Sequence, residues 1–141
     1  MLRALRQAMP LAILMLSGFV ASCAAPPPVP EKPKNVIHGT ITYRPRVALS
    51  PQAIVKVWLQ DVSKMDVVAT ILDEVEIRNP GQVPIPFQVR YDPTLIDASH
   101  RYTLLVKIYE GDRTRFLNAT SYPVITRGCT DACEVVLDMM N

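Results

Sequence analysis

The sequence predicts an all-β fold, an antiparallel sandwich of about seven short strands. Apolar and polar residues alternate with a period of two in several stretches, which places successive side chains on opposite faces of a strand. Turn-forming residues separate these stretches, as expected for short strands joined by tight connections. The region that carries the alternation has about 105 residues, enough to bury one core.

Seven strands are predicted in chain order. The clear ones cover residues 37–43, 53–60, 83–90 and 102–109, and weaker ones cover 67–72, 113–120 and 134–139. In the first stretch, for example, Ile37, Ile41 and Tyr43 alternate with His38 and Thr40. Strands of this length, with turn residues between them, favour an immunoglobulin-like or transthyretin-like sandwich.

Two prolines mark one strand as an edge. Pro84 and Pro86 are two residues apart, so their missing N–H groups lie on the same side of the strand. A full hydrogen-bond ladder cannot form on that side, and this edge is closed to a partner strand. A partner that adds a strand would have to use a different edge.

Polar residues next to the strands predict specific turns. Residues 110–112, Glu-Gly-Asp, form a hairpin turn to the following strand. Asp61 and Ser63 are expected to make turn hydrogen bonds. Tyr102 follows Asp97 at the entry to its strand, either as a tyrosine corner whose hydroxyl bonds to upstream backbone or as an ordinary core tyrosine.

The first 22 residues predict an export signal. Arg3 and Arg6 precede an apolar stretch over residues 11–20, and two small residues then precede Cys23. This order is typical of a secretory signal peptide, and the apolar stretch is shorter than the about 20 residues that cross a bilayer. One alternative is a plain signal peptide in which Cys23 is incidental.

A proline-rich linker is predicted over residues 23–35, which leaves residues 36–141 as the β-sandwich domain. The five prolines of this segment are Pro26, Pro27, Pro28, Pro30 and Pro33. Such a sequence favours extended polyproline II, a semi-rigid spacer of about 3 Å per residue. Twelve residues would give a reach on the order of 35 Å and hold the domain away from a membrane surface.

The charge balance excludes one class of partner. The chain has 15 basic and 13 acidic residues. Removal of the signal peptide takes away Arg3 and Arg6 and no acidic residue, so the mature chain is formally neutral. Bulk electrostatics therefore give no support for nucleic-acid binding.

The three cysteines suggest two different roles. If Cys23 is modified, Cys129 and Cys133 remain as a pair, and an even pair in an exported chain favours a disulfide. Two free thiols are the alternative. The spacing differs from the Cys-x-x-Cys of redox-active pairs, and a zinc ion would need further ligands that do not lie nearby.

Few residues could support catalysis or metal binding. His38 and His100 are the two histidines, and both are expected at the surface or in turns. Ser99, His100 and Asp97 could be drawn as a triad, although neighbours in one loop rarely have that geometry. Asp92, Asp97 and His100 could hold a metal, but ordinary turn capping is the simpler interpretation. We expect no enzymatic activity, no metal and no cofactor.

Four side chains form a candidate partner-binding surface. Ile54, Trp58, Leu105 and Tyr109 lie opposite the main apolar row of their strands, and in a sandwich this is the outer face. An exposed apolar and aromatic patch commonly marks a partner site. Alternatively, these residues pack under loops, or the two faces are reversed.

Several segments together carry a resemblance to a known family. They are residues 36–44 (VIHGTITYR), 48–66, 84–92 (PIPFQVRYD), 96–97, 102–104 and 122–124. In this order they resemble the YbaY/YscW-type lipoproteins. The resemblance implies an envelope lipoprotein with a β-sandwich fold, in a family with no catalytic residues to carry over. Some members are pilotins or chaperones that help a type III secretion secretin reach and assemble in the outer membrane.

A second resemblance concerns the signal peptide. Residues 20–23 (VASC) resemble the lipobox of bacterial lipoproteins, which implies that Cys23 becomes the acylated first residue of the mature chain. Two or more acyl chains anchor a protein stably to a membrane. Ala24 stands where an Asp would favour retention at the inner membrane, so we expect the outer membrane, with the domain facing the periplasm.

These observations lead to a ranked set of hypotheses. The first is an outer-membrane lipoprotein that acts as a non-catalytic binding and assembly module, pilotin- or chaperone-like, for an envelope protein such as a secretin. The second is an envelope-structural or glycan- or peptidoglycan-binding lipoprotein of the YbaY type without a secretin partner. A hydrolase is the third and least favoured.

Overall fold

The computed structural model describes residues 35–141, and the predicted signal peptide, Cys23 and most of the proline-rich linker fall outside these residues. The elements are β1 Asn35–Tyr43, β2 Ile54–Asp61, β3 Thr70–Arg78, β4 Ile85–Tyr91, a 3-10 turn Pro93–Leu95, β5 Tyr102–Glu110, β6 Arg113–Leu117, β7 Tyr122–Val124 and β8 Cys133–Met139. No helix in this part of the chain has the length and apolarity to cross a bilayer. Asn35, the last residue of the predicted linker, is the first residue of β1.

The strands form one continuous sheet. Its order is β3-β2-β5-β6-β8-β1-β4, and β7 pairs with β5. The all-β prediction is confirmed, but the immunoglobulin-like or transthyretin-like sandwich is not. Pairing of β6 with β8, through Phe116↔Met139 and Leu117↔Asp138, joins the two halves that a sandwich would keep separate. The result is a nearly closed, barrel-like sheet.

One strand pair also departs from the antiparallel prediction. β1 and β8 run parallel, with Gly39 opposite Cys133 and Tyr43 opposite Leu137. Parallel neighbours need a long connection between them. Here that connection is almost the whole described chain, because β1 and β8 are the first and last strands.

The alternation of residue types builds the core as predicted. Inward rows supply buried side chains that include Ile37, Ile41, Val55, Val57, Leu59, Ile85, Phe87, Val89, Tyr102, Leu104, Val106, Ile108, Val135 and Leu137. Each buried aliphatic or aromatic side chain contributes about 1.5–3 kcal/mol relative to exposure. The four clear strands were therefore located correctly from the period of two.

Of the three weaker strands, the one predicted over 134–139 corresponds to β8, Cys133–Met139, and the other two were located less well. The predicted strand over 67–72 is misplaced, because Val67 and Val68 are 63% and 91% exposed and β3 instead runs over Thr70–Arg78. The predicted strand over 113–120 ends early, at Leu117. The next residue, Asn118, bonds to β5 through its side chain, accepting from Val106 N–H at 2.7 Å and donating to Leu104 C=O at 2.9 Å. The three-residue β7 was not predicted.

The predicted turns are confirmed. Gly111 adopts a left-handed φ of 63° between β5 and β6, which glycine tolerates at no steric cost. The Tyr102 hydroxyl accepts a hydrogen bond from the Asp97 backbone N–H at 2.9 Å, as in a tyrosine corner. Asp61 accepts from the Ser63 backbone N–H at 2.9 Å.

Gly39 permits a close approach of three strands. A Cβ atom at this position would lie 2.3 Å from the Cys133 carbonyl oxygen and 2.6 Å from Cζ of Phe87. Phe87 is the cross-strand partner of Gly39, so its ring occupies the space that a side chain would fill. The absence of a side chain at residue 39 thereby sets the position of Phe87.

Candidate binding groove between the edge strands

The two edge strands of the sheet, β3 and β4, lie next to each other without forming a ladder. Two adjoining depressions follow the seam between them, with volumes of about 480 Å³ and 500 Å³, and Val75 and Gln88 line both. Depressions of this size are typical of ligand sites. We call the continuous depression the seam groove. Its lining includes Leu72, Asp73, Val75 and Ile77 of β3 and Pro86, Phe87, Gln88, Arg90 and Tyr91 of β4.

The walls of the seam groove are largely apolar. Leu72, Val75 and Ile77 are half-buried and pack against the core. Leu95, in the 3-10 turn at one end of the groove, is 65% exposed. Gly39 and Phe87 line the other half of the groove. Apolar side chains that extend the core into an open groove are characteristic of a binding site.

The β4 side of the seam lacks the donors that a partner strand would need. Arg90 donates its backbone N–H across the seam to Asp73 Oδ2 at 3.2 Å. Since alternate residues of a strand direct their N–H groups to the same side, the ring nitrogen of Pro86 belongs to this side too, whereas Pro84 precedes β4. The predicted edge strand is therefore confirmed, and its free edge faces the groove.

The β3 side of the seam is also unsuited to strand addition. Asp73 pairs with Leu59 on the inward row, and the register shifts immediately afterwards, between Leu59 and Gln60. A bulge and an inward-pointing charge are two devices that protect an exposed edge from pairing. The seam groove thus offers side-chain contacts rather than a ladder.

The four residues of the predicted outer patch lie together. Ile54 is directly opposite Tyr109, and Trp58 is directly opposite Leu105, on neighbouring strands β2 and β5. All four are half-buried. The Lys107 ammonium lies 5.9 Å from the centre of the Trp58 ring, within cation–π range. The predicted facing is correct, and binding of a partner to this patch stays a prediction.

A polar cluster connects the loops that follow β2 and precede β5. Asp61 Oδ2 lies 2.7 Å from His100 Nδ1, and the Ser63 hydroxyl donates to Asp61 Oδ1. Ser63 Oγ in turn accepts from the Arg101 backbone N–H at 2.7 Å. Burial raises the pKa of Asp61, but the hydrogen bonds from Ser63 and His100 outweigh it and lower the pKa below its usual range.

This cluster does not have the geometry of a catalytic triad. Ser63 bonds to the carboxylate rather than to the imidazole, so His100 is not placed to remove its proton. The triad drawn from Ser99, His100 and Asp97 is wrong for the same reason: Ser99 donates to Asp97 at 2.6 Å, and His100 pairs with Asp61.

The residues considered for a metal site act as turn caps. Asp92 accepts from Thr94 N–H at 2.9 Å, and Asp97 accepts from Ser99 N–H at 2.8 Å. Hydrogen bonds from Ser99, both side chain and backbone, lower the pKa of Asp97. Within residues 35–141, no three His, Cys, Asp or Glu side chains converge as metal ligands would. The other histidine, His38, lines the seam groove.

Cys129 and Cys133 are joined in a disulfide, with their Cα atoms 5.7 Å apart, a common separation for such bonds. Cys133 is buried at the start of β8. The bridge therefore ties the loop after β7 to the strand that pairs with β1.

Sequence reasoning missed the seam groove because it missed most of β3. The signal was present: residues 74–78 alternate charged and aliphatic residues, Glu-Val-Glu-Ile-Arg. This pattern places Val75 and Ile77 on one face. Their burial in the groove could not be predicted, because it depends on the approach of β4.

Comparisons with known proteins identify related chains. The family model described as "Type III secretion system lipoprotein chaperone (YscW)" matches residues 32–137. The uncharacterized lipoprotein YbaY of Escherichia coli strain K12 is 33% identical over 97 residues, which is 68% of this chain and 51% of that protein. The chain thus spans about half the length of this relative.

A solved structure is also similar. It is an alternative pilotin from the type II secretion system of Vibrio cholerae, with a TM-score of 0.70 and 35% sequence identity. The match covers 77% of this chain and all of that one. The fold described above is therefore shared with a pilotin.

Proposed function

Because this chain belongs to the YscW family of type III secretion system lipoprotein chaperones, we propose that it is a non-catalytic assembly module of the bacterial envelope. In this proposal it binds a component of a secretion system, such as a secretin, and holds it at the outer membrane. The similar solved structure is that of a pilotin, which supports the same class of activity.

The seam groove is the observation that carries this proposal. It presents the half-buried Leu72, Val75 and Ile77 next to the exposed Leu95. An apolar side chain of a partner that enters the groove would bury its own surface and theirs, at about 25 cal/mol per Å² of apolar surface removed from water. Gln88 and Arg90 at the rim would supply the polar contacts that surround such an apolar centre.

The groove favours an amphipathic helix over a strand as the bound segment. Strand addition needs free N–H groups in register, and Pro86 and the bonded Arg90 N–H remove two of them from β4. A helix satisfies its own backbone and needs only apolar anchors at i, i+3 or i+4 and i+7. We therefore propose an amphipathic helical segment of the envelope partner as the occupant.

Lipidation of Cys23 completes the proposed mechanism. The acyl chains would supply membrane affinity, and the seam groove would supply partner affinity. Tethering raises the effective concentration of the partner at the membrane without any new contact. The proline-rich segment before β1 would hold the groove within reach of the partner and away from the headgroups.

Affinity capture from detergent-solubilised envelopes tests the proposal. Tagged full-length chains with Leu95→Glu or Ile77→Asn alter the seam groove, and Val68→Glu is the matched control at an exposed aliphatic residue outside it. We expect the wild type and the control to capture the same secretion-system protein and the groove variants to capture at least about tenfold less, since burial of one aliphatic side chain contributes about 1.5–3 kcal/mol and about 1.4 kcal/mol corresponds to that factor.

The same experiment separates the groove from the outer patch and from the alternative function. If Trp58→Ser abolishes capture and the groove variants do not, the partner binds the outer patch. Recovery of cell-wall fragments in place of a secretion-system protein would contradict the assembly function and favour a glycan-binding lipoprotein. Circular dichroism of each purified variant shows that it is folded.

A further inference from the structure

A smaller concavity, of about 260 Å³, lies beside the start of β5. Its lining contains two arginines, Arg101 and Arg127, and two hydroxyl residues, Thr103 and Ser121, but no acidic residue. The volume is too small for a helix or a strand and is suited to a ligand of a few atoms. The lining residues therefore point to a small anion.

The two arginines are not neutralised by the protein. Arg78 and Arg115 form ion pairs with glutamates, whereas neither Arg101 nor Arg127 has an ion pair or side-chain hydrogen bond within residues 35–141. The Asp61 carboxylate, whose partner Ser63 also bonds to the Arg101 backbone N–H, is engaged by Ser63 and His100. The positive charge at this concavity is thus left for a ligand.

Thr103 adds a hydroxyl donor to the concavity. The residue is 8% exposed, and its hydroxyl, which forms no hydrogen bond within residues 35–141, is not fully buried. Since Thr103 lines the concavity, this hydroxyl is available to donate a hydrogen bond to a bound oxyanion.

The loop that carries Arg127 is held in place next to Arg101. Thr126 Oγ1 donates to the His100 carbonyl at 2.7 Å, which joins the residues that precede the two arginines. Cys129 N–H donates to the Pro123 carbonyl at 3.3 Å. A Cβ at Gly128 would lie 1.9 Å from that same carbonyl oxygen, so only glycine fits this turn.

We propose that this concavity is a binding site for a phosphate group. Arginine guanidinium groups match the geometry of phosphate oxygens and bind them by charge-assisted hydrogen bonds, and the Thr103 and Ser121 hydroxyls donate to the remaining oxygens. The phosphate is that of a lipid headgroup or a free phosphate ion. This site is separate from the seam groove, and its existence does not depend on the function proposed for that groove.

Nuclear magnetic resonance titration of the full-length chain in non-ionic detergent tests the site. Inorganic phosphate and glycerophosphoglycerol, the deacylated headgroup of phosphatidylglycerol, are added separately at constant ionic strength. We expect saturable shifts of the backbone amides of residues 101–103 and 121–127. Arg127→Gln or Arg101→Gln should weaken binding about tenfold, the value of one charge-assisted hydrogen bond, and Thr103→Val should weaken it while preserving the side-chain shape.

Arg113→Gln is the matched control, because Arg113 is an exposed arginine on the β5–β6 hairpin and the substitution removes the same charge. Tighter binding of glycerophosphoglycerol than of phosphate identifies the lipid headgroup as the source, and the reverse order identifies the free ion. If neither ligand shifts these amides, or if Arg113→Gln weakens binding as much as Arg127→Gln, the proposal is wrong. The unperturbed remainder of each spectrum shows that the variant is folded.

Discussion

Substitution of Gly39 tests how the barrel-like sheet is assembled. In Gly39→Ala, the new Cβ would meet the Cys133 carbonyl oxygen at 2.3 Å and Cζ of Phe87 at 2.6 Å. Overpacking of this kind costs about 1–3 kcal/mol, and the upper half of that range applies because the closer atom belongs to the backbone. The entropic benefit of replacing glycine in a strand, about 0.5–1 kcal/mol, offsets only part of the cost.

The expected net loss is therefore about 1–2.5 kcal/mol of unfolding free energy. Urea unfolding followed by tryptophan fluorescence measures it, because the chain has one tryptophan, Trp58. With an m-value of about 1–3 kcal/mol per molar urea, the midpoint falls by roughly 1 M. His38→Ala, an exposed site in the same strand, is the control and should change stability by less than about 0.5 kcal/mol.

A double-mutant cycle separates the two clashes. Phe87→Leu withdraws the ring from residue 39, so Gly39→Ala should cost about 0.5–1 kcal/mol less in that background. The remaining cost comes from the Cys133 carbonyl, which no side-chain change can move. A Gly39→Ala variant as stable as the wild type, or more stable, would refute the close approach of β1, β4 and β8.

Four further outcomes are expected. Tyr102→Phe should lower the unfolding free energy by about 1 kcal/mol, because the upstream backbone N–H loses its acceptor; an unchanged melting temperature would contradict this. The lowered pKa of Asp61 stabilises the folded state above the usual carboxyl pKa, and this contribution disappears as the pH falls through the folded-state value; Asp61→Asn should therefore flatten the stability profile below about pH 4, and an identical acid slope would argue against it. Cys23→Ser should release the chain from membranes in fractionation while leaving it folded, and a variant that stays fully membrane-bound would disprove lipid anchoring. The mass measured with reductant should exceed that measured without it by about two hydrogens, because reduction opens the Cys129–Cys133 bridge, and no difference would exclude the bridge.

The sequence predicts the local elements of this fold better than their arrangement. In β1, β2, β4 and β5 every second side chain is buried. The apolar residues therefore recur with a period of two, which is visible in the sequence alone. The period of two did not locate β3, because Asp73 occupies an inward position there and the register shifts next to its partner Leu59. An edge strand tolerates both features, because one of its sides carries no ladder.

Closure of the sheet depends on long-range pairing that leaves no local pattern. The contact of β6 with β8 rests on two residue pairs, and the parallel pairing of β1 with β8 joins the ends of the described chain. Both alternatives, sandwich and barrel, bury the same alternating rows. The prolines of β4 indicated an edge, but nothing in the sequence indicated that β3 would be the strand facing it.

The candidate sites also differ in how far local sequence patterns could predict them. The alternation within each strand was enough to place Ile54, Trp58, Leu105 and Tyr109 on the face opposite the core, since directly opposite residues of neighbouring strands lie on the same face. The seam groove and the concavity beside β5 each combine residues that are distant in sequence, such as Arg101 and Arg127. Such sites become visible only when loops and edges are positioned in three dimensions.

The open seam also means that the circumference of the sheet is not fixed by backbone hydrogen bonds between β3 and β4. A fully hydrogen-bonded barrel has a circumference fixed by its number of strands and their stagger. Here β3 and β4 share no ladder, and the contact that crosses between them joins one backbone amide to one carboxylate. Widening the sheet along this line would break that hydrogen bond and leave the backbone pairing on either side intact.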